Sequence, residues 1–161
     1  MQSPVGELIL AACDTSLRAV LWGDDDIEWK RAAIDRRSVI FQQSAVVEQA
    51  ISQLKEYFVG DRQEFDLPLK PIGTEFQSTV WRSLTEIKFG STVSYSEQAT
   101  SIGRASAVRA VASANGRNPI SLVIPCHRVV AASGGLGGFA GGLDAKRWLL
   151  AHERELTSAR S

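Results

Sequence analysis

Apolar residues recur along the chain at two periods, and the change of period marks its organisation. Residues 6–13 (GELILAAC) alternate in part, with Leu8 and Leu10 on one face. Residues 16–23 (SLRAVLWG) set Leu17, Ala19 and Leu21 against Arg18, Val20 and Trp22. A period of two reads as a strand, and Asp14-Thr15 supplies the turn, so a β-hairpin is predicted. Asp24-Asp25-Asp26 reads as a solvated loop. Over residues 44–59 the spacing becomes helical, through Val46, Val47, Ile51, Leu54 and Phe58, with Ser44 placed to cap and Gly60 to end the helix. Asp66-Leu67-Pro68-Leu69-Lys70-Pro71 reads as an extended connector, because its two prolines disfavour helix. A domain boundary is placed there, with a small α/β unit over 1–70 and a second unit over 71–161.

The second unit patterns as helices. Thr74 starts one containing Phe76, Val80, Trp81 and Leu84, and Gly90 breaks the chain after it. Ser94 precedes a short helix ending near Gly103. Residues 104–115 form another helical segment, rich in small residues: Ala105, Ser106, Ala107, Ala110, Ala112 and Ser113. The pair around Ile102-Gly103 has helix-turn-helix proportions. Residues 121–124 (SLVI) read as a short apolar strand, Gly134 to Gly142 as a glycine-rich loop, and Asp144 to Glu155 as a final amphipathic helix.

Composition narrows the class. With 161 residues, 44% hydrophobic and 22% charged, the chain suits one compact domain or two small ones. Disordered, collagen-like and histone-like classes are excluded. No apolar run approaches the ~18–20 residues of a membrane span. The start, Met1-Gln2-Ser3-Pro4-Val5-Gly6, lacks the features of a signal peptide. Two cysteines, Cys13 and Cys126, do not make a secreted disulfide scaffold. The expectation is a soluble intracellular protein with free thiols. The formal net charge of zero hides an asymmetry: 8 Lys/Arg against 12 Asp/Glu over 1–70, then 10 against 6 over 71–161. The basic second part permits an anionic partner, although a solvated surface has the same pattern.

The chemistry concentrates at Ile124-Pro125-Cys126-His127-Arg128-Val129. Cys126 follows an apolar stretch and a proline, where a loop should begin, and loops on rigid elements commonly hold reactive groups. A thiol with an ordinary pKa near ~8.5 needs help to ionise at neutral pH. His127 is placed to give it only if the chain turns or a water bridges, since neighbours in an extended segment point to opposite sides. A buried structural cysteine beside a surface histidine would look the same. Glu153, next to His152, is a candidate orienting carboxylate for His127 in a Cys–His–Glu relay, or else a solvated helix-end residue. Two cysteines and two histidines without zinc-finger spacing argue against a metal site.

The sequence resembles the O6-alkylguanine-DNA alkyltransferases, also called methylated-DNA–protein-cysteine methyltransferases. The resemblance is carried by Asn118 to Val129 with its Pro-Cys-His-Arg-Val run, by Ser94-Tyr95, by Arg109-Ala110-Val111, and by Gly141-Gly142 through Trp148-Leu149-Leu150-Ala151-His152-Glu153, in family order and spacing. It covers residues 73–153 closely and the first hairpin more weakly. It implies an α/β ribonuclease H-like domain followed by a mainly α domain with a helix-turn-helix. It also implies transfer of an alkyl group from O6 of guanine, with O4-alkylthymine as a secondary substrate, to Cys126, once per molecule. Duplex DNA carrying the alkylated base would be the partner. No cofactor and no metal are implied, since the thiol itself is the acceptor. A monomer in solution, able to assemble on DNA, would fit. So would a cytoplasmic site, nucleoid-associated in a bacterium or archaeon and nuclear in a eukaryote.

Roles follow from the resemblance residue by residue. Cys126 is the nucleophile, His127 the water-relayed base and Glu153 its orienter. Tyr95 donates a proton at N3 of the ring, and Asn118 fixes the turn before the cysteine. Arg109 fills the place of the flipped base, while Ala107 and Ala110 let the helix enter the minor groove. Ser94, Arg128, Val129, Phe139 and Ala140 belong to the substrate or DNA surface, with the carbonyls of Cys126 and Val129 accepting from the guanine amino group. Without the resemblance, Tyr95 reads as a core tyrosine and Arg109 as a surface arginine. Phe139-Ala140 stands where the family often has tyrosine and a small polar residue, which predicts an altered substrate range. Ala112 replaces a common glycine, and Val108 a frequent alanine. A lesion-binding protein, a cysteine hydrolase and a helix-turn-helix regulator are the rival readings.

Overall fold

The computed structural model describes residues 1–42 and 44–159. They form two compact units, one of residues 1–72 with 119–123, the other of residues 73–118 with 124 onward. The first unit therefore includes a short piece of chain that a single cut near residue 70 assigns to the second.

The first unit is built on a strand buried along both edges. Strands β1 (Gln2–Ser3) and β2 (Gly6–Glu7) form a small antiparallel pair. β3 (Ile9–Cys13) and β4 (Ser16–Leu21) form the main hairpin, with Leu10 opposite Val20 and an irregularity between Ala11 and Ala12. The other edge of β4 meets Leu69 and Ile120 in isolated parallel bridges. There the Leu17 N–H donates to Pro68 O at 2.8 Å and the Val20 N–H to Pro119 O at 2.9 Å. Val20, expected on the polar side of the strand, is accordingly buried with Leu17, Ala19 and Leu21.

The triple aspartate is exposed, as expected of a solvated loop, but only Asp24 and Asp25 lie outside regular structure and Asp26 opens a helix. Asp25 is the N-cap of helix α1 (Asp26–Arg31) and accepts from the Glu28 N–H at 2.9 Å. The helix delivers Trp29 into a core of Ala19, Leu21 and Ala32. Helix α2 (Ala45–Val59) ends at Gly60, whose φ of 87° suits a residue without Cβ. Ser44 occupies the N-cap position but makes no capping side-chain bond. The buried stripe of α2 is Val46, Ala50, Gln53, Leu54 and Tyr57, so Val47, Ile51 and Phe58 lie at its margins.

The second unit is helical, and polar anchors hold its helices in place. Helix α3 (Glu75–Leu84) starts in a capping box between Thr74 and Gln77. Its Trp81 donates to Ala114 O at 2.8 Å in the interior. Gly73 lies against the ring of Trp81, where a Cβ would collide. Helix α4 (Tyr95–Ser101) has a second capping box, between Ser94 and Glu97. The turn at Ile102-Gly103 leads to a 3₁₀ turn (Ala105–Ala107) and helix α5 (Val108–Gly116), so the segment expected as one helix is broken at its start. A buried amide pair, Asn115 to Gln98 Oε1 at 2.7 Å, ties α5 to α4.

No strand forms at 121–124. The chain bridges at Ile120, then turns through Leu122 and Val123, and Leu122 is fully buried at a φ of 74°. Burial of the leucine holds a backbone conformation that costs of order 1 kcal/mol or more outside glycine. After the next turn, β6 (Val129–Val130) runs parallel to β5 (Val93–Ser94). The long last helix, α6 (Gly142–Ala159), buries Ala145, Lys146, Leu149 and Glu153.

Candidate active site

Cys126, His127 and Arg128 form one turn of 3₁₀ helix, closed by the Arg128 N–H on Pro125 O at 3.0 Å. A 3₁₀ turn advances about 120° per residue, so the three side chains leave in three directions rather than two. The chain therefore turns at Cys126 and His127 rather than running extended through them. Asn118 braces the approach to it: buried, it donates Nδ2–H to Ile124 O at 2.7 Å. The parallel pairing of β5 with β6 sets the start of α4, and hence Tyr95, beside the same turn.

His127 is fully buried, with Nε2 2.8 Å from Glu153 Oε1. Its Nδ1 is buried and has no hydrogen-bond partner among the described residues. Glu153 reaches the turn from α6. Burial would raise its carboxyl, but the hydrogen bonds from His127 and Arg128, with the charge of Arg128, work against that, and the carboxyl is lowered to about 2. Burial pushes His127 the other way from its usual base strength, down, against the upward pull of Glu153. The pair therefore reads as a neutral imidazole donating from Nε2 to a carboxylate, with Nδ1 the acceptor.

Cys126 is almost fully buried. Tyr95 is half-buried, and burial first, then the charge of Cys126, raises its phenol above the ordinary value, so it is a protonated donor at neutral pH. Gly137 of the glycine-rich loop packs on that phenol: its φ is 67°, and a Cβ would sit 2.6 Å from Tyr95 Oη. Phe139 of the same loop meets His127 edge-on, with ring centroids 6.3 Å apart. Ala140 is exposed.

Arg128 corrects an expectation. It is not on a substrate or DNA surface but buried, bound to Glu153 and to Ile87 O. Ser94 is spent partly on its own helix, accepting from the Glu97 N–H at 3.1 Å. Val129 O accepts from Lys146 Nζ at 2.6 Å, which leaves the second lone pair of that carbonyl. On α5, Arg109 and Ala110 are exposed and Ala107, in the 3₁₀ turn before it, is half-buried. Lys146 was not singled out from sequence, and Gly90, whose N–H donates to Glu153 Oε2 at 3.0 Å, was read only as a break after a helix. Lys146 had a signal, since it lies on the same α6 face as Leu149 and Glu153, at helical spacing. The bond from Gly90 had none, because it is made by a main-chain N–H. Among the described residues no group of three or more His, Cys, Asp or Glu is arranged to hold a metal. A cavity of about 1020 Å³ in the first unit contains Cys13, whose thiol donates to Ser16 O at 3.5 Å; no histidine lines it.

Comparison with known proteins adds independent findings. The family model for the DNA-binding domain of 6-O-methylguanine DNA methyltransferase matches residues 75–155, and that for its ribonuclease-like domain matches residues 1–71. The methylated-DNA–protein-cysteine methyltransferase of Mycolicibacterium paratuberculosis is 45% identical over 99% of this chain and 93% of its own. That of Methanosarcina barkeri is 43% identical over 93% and 92%. The crystal structure of Mycobacterium tuberculosis O6-methylguanine methyltransferase superposes with a TM-score of 0.83 at 40% identity, covering 96% of this chain and 90% of that one. A structure of the M. tuberculosis protein in complex with DNA superposes with a TM-score of 0.81 at 38% identity, covering 97% and 91%.

Proposed function

The chain belongs to the 6-O-methylguanine DNA methyltransferase family, and from that premise we propose that it repairs DNA by moving an alkyl group from O6 of guanine onto Cys126. The observation that carries the reading is the buried Cys126–His127 turn, with the histidine bonded through Nε2 to an ionised Glu153 and its Nδ1 without a partner among the described residues. A thiol acting on an alkyl carbon needs a base that accepts one proton, and that arrangement leaves one ring nitrogen for it.

The sulfur of Cys126 forms a bond to the alkyl carbon as the carbon–O6 bond breaks. The thiol proton passes to His127 Nδ1, directly or through water. Tyr95 donates its phenolic proton to N3 of the leaving guanine, so that the base does not depart as an anion. Tyr95 is then reprotonated, so the restored guanine carries the proton that the thiol gave up. The product is a thioether, which water does not reverse, so each chain acts once. Secondary action on O4-alkylthymine uses the same displacement.

The target oxygen lies inside the duplex, so the base must be turned out at a cost of a few kcal/mol. Exposed Arg109 is assigned to the gap, where a planar guanidinium both stacks and donates. The small residues around Ala107 and Ala110 allow α5 to approach the minor groove, whose degenerate code suits a protein that must act in any sequence. Phe139 supplies an apolar wall without the phenol common in the family. The proposed partner is duplex DNA carrying the alkylated base, met by a monomer at the cell's DNA. Among the described residues no helix is long and apolar enough to cross a membrane. Cys126→Ser is expected to abolish transfer and leave binding to a lesion-bearing duplex intact. Transfer persisting in that variant would refute the assignment.

A further inference from the structure

Arg128 is a buried cation to which the proposed reaction gives no part. It meets the Glu153 carboxylate edge to edge, with Nη2 on Oε1 and Nε on Oε2, both at 3.0 Å. Its Nη1 is tied to Ile87 O at 2.6 Å, and the Phe89 ring lies against the guanidinium, 5.7 Å from its carbon. His127 Nε2 also bonds Oε1, and the Gly90 N–H also bonds Oε2, at 3.0 Å. Gly90 accepts no side chain, since its φ is 76° and a Cβ would collide with Thr157. Each oxygen is thus held by two residues, Oε1 by His127 and Arg128 and Oε2 by Arg128 and Gly90, and these bonds hold the carboxylate against the imidazole.

The charges matter as much as the geometry. A carboxylate alone against a buried imidazole would draw a proton onto the ring, as an opposite charge within bonding distance favours the ionised form. A guanidinium forked onto the same carboxylate opposes that pull, and Lys146 adds to the opposition. The ring then stays unprotonated, because burial penalises the imidazolium. We infer that Arg128 is a positioning residue that keeps His127 as the neutral Nε2–H tautomer by neutralising and orienting Glu153, so that Nδ1 stands ready to take the proton of Cys126. The charged groups acting on His127 are Glu153 and Lys146 of α6 and Arg128 of its own turn. Beyond them lie Cys126 in the same turn and Tyr95 of α4, itself within electrostatic reach of Cys126. The loop side presents the uncharged Phe139. Burial, Arg128 and Lys146 all act to keep the ring neutral, and Glu153 alone acts against them.

The inference rests on the transfer reading of Cys126, and two measurements on the full chain separate the two. An NMR titration of His127 reads its charge and tautomer without any reaction; the other histidine, His152, is identified through His152→Gln. Single-turnover transfer from a duplex with O6-methylguanine, followed against pH, reads the consequence. The expected result for the parent chain is a neutral Nε2–H ring from about pH 6 to 8. Arg128→Met moves protonation of the ring up into that range. Transfer at about pH 6 then falls on the order of tenfold for each unit by which the ring's pKa exceeds the pH, and recovers in alkali. Arg128→Lys keeps the positive charge and so keeps the ring neutral. Should Arg128→Met not fold, the parent and lysine proteins still decide, because an imidazolium at neutral pH in either overturns the inference. A folded Arg128→Met protein with an unchanged titration and pH–rate profile also overturns it. A parent chain that transfers nothing at any pH refutes the transfer reading instead, while the charge of its ring still decides the inference.

Discussion

Four polar side chains buried together, His127, Arg128, Lys146 and Glu153, are costly to assemble and so bear directly on stability. The folded chain ionises Glu153 at about 2, whereas an unfolded glutamate does so near ~4.3. Between those values the unfolded chain takes up the proton first, so stability present above that window is lost as pH falls through it. The loss is roughly 3 kcal/mol from this group. His127 acts in the same direction at higher pH. Its folded base strength is below the ordinary value, so the unfolded chain protonates first just below ~6.5. Thermal unfolding should therefore decline from about pH 6.5 and steepen below about 4.5. A midpoint that holds level from neutrality to about pH 4 would contradict the charge assignments at both residues.

At the scale of elements, side-chain anchors hold the helices of the second unit. Trp81→Phe removes a buried donor from Ala114 O and part of a ring, and is expected to cost about 1–3 kcal/mol in urea unfolding. An unchanged midpoint would mean that the contact of α3 with α5 does not depend on that bond. The elements legible from sequence were those whose signals are local. Thr74 and Ser94 both carry the side-chain signature of a helix start and both cap. Gly60 ends α2 because a left-handed residue is needed there. Less legible were features decided by distant neighbours. Asp25 looks like a loop residue until Trp29, three positions into the helix it starts, finds a core to fill. Ser121 to Ile124 has the composition of a strand, yet forms a turn, with Leu122 buried in a left-handed conformation. Arg128 reads as a surface charge because its partner, Glu153, is 25 residues away on another helix. The Cys126–His127 pair was visible from its motif. That they share a 3₁₀ turn, and that Glu153 is saturated with donors, was not.

The whole molecule joins an acidic first part to a basic second part, and the exposed arginine of α5 belongs to the basic one. Arg109→Ala should slow transfer from duplex DNA more than from the free alkylated base, and should reduce the salt dependence of duplex binding by about one counterion. Equal losses on both substrates would contradict a role in holding the duplex open. A chain that is its own alkyl acceptor gains mass, so the decisive measurement is intact mass after mixing with a duplex carrying one O6-methylguanine. The expected result is a gain of one CH₂, mapped to Cys126 and saturating at one per chain. Lesion binding without that gain, in protein whose Cys126 is reduced, would contradict it, as would repair of more than one lesion per chain.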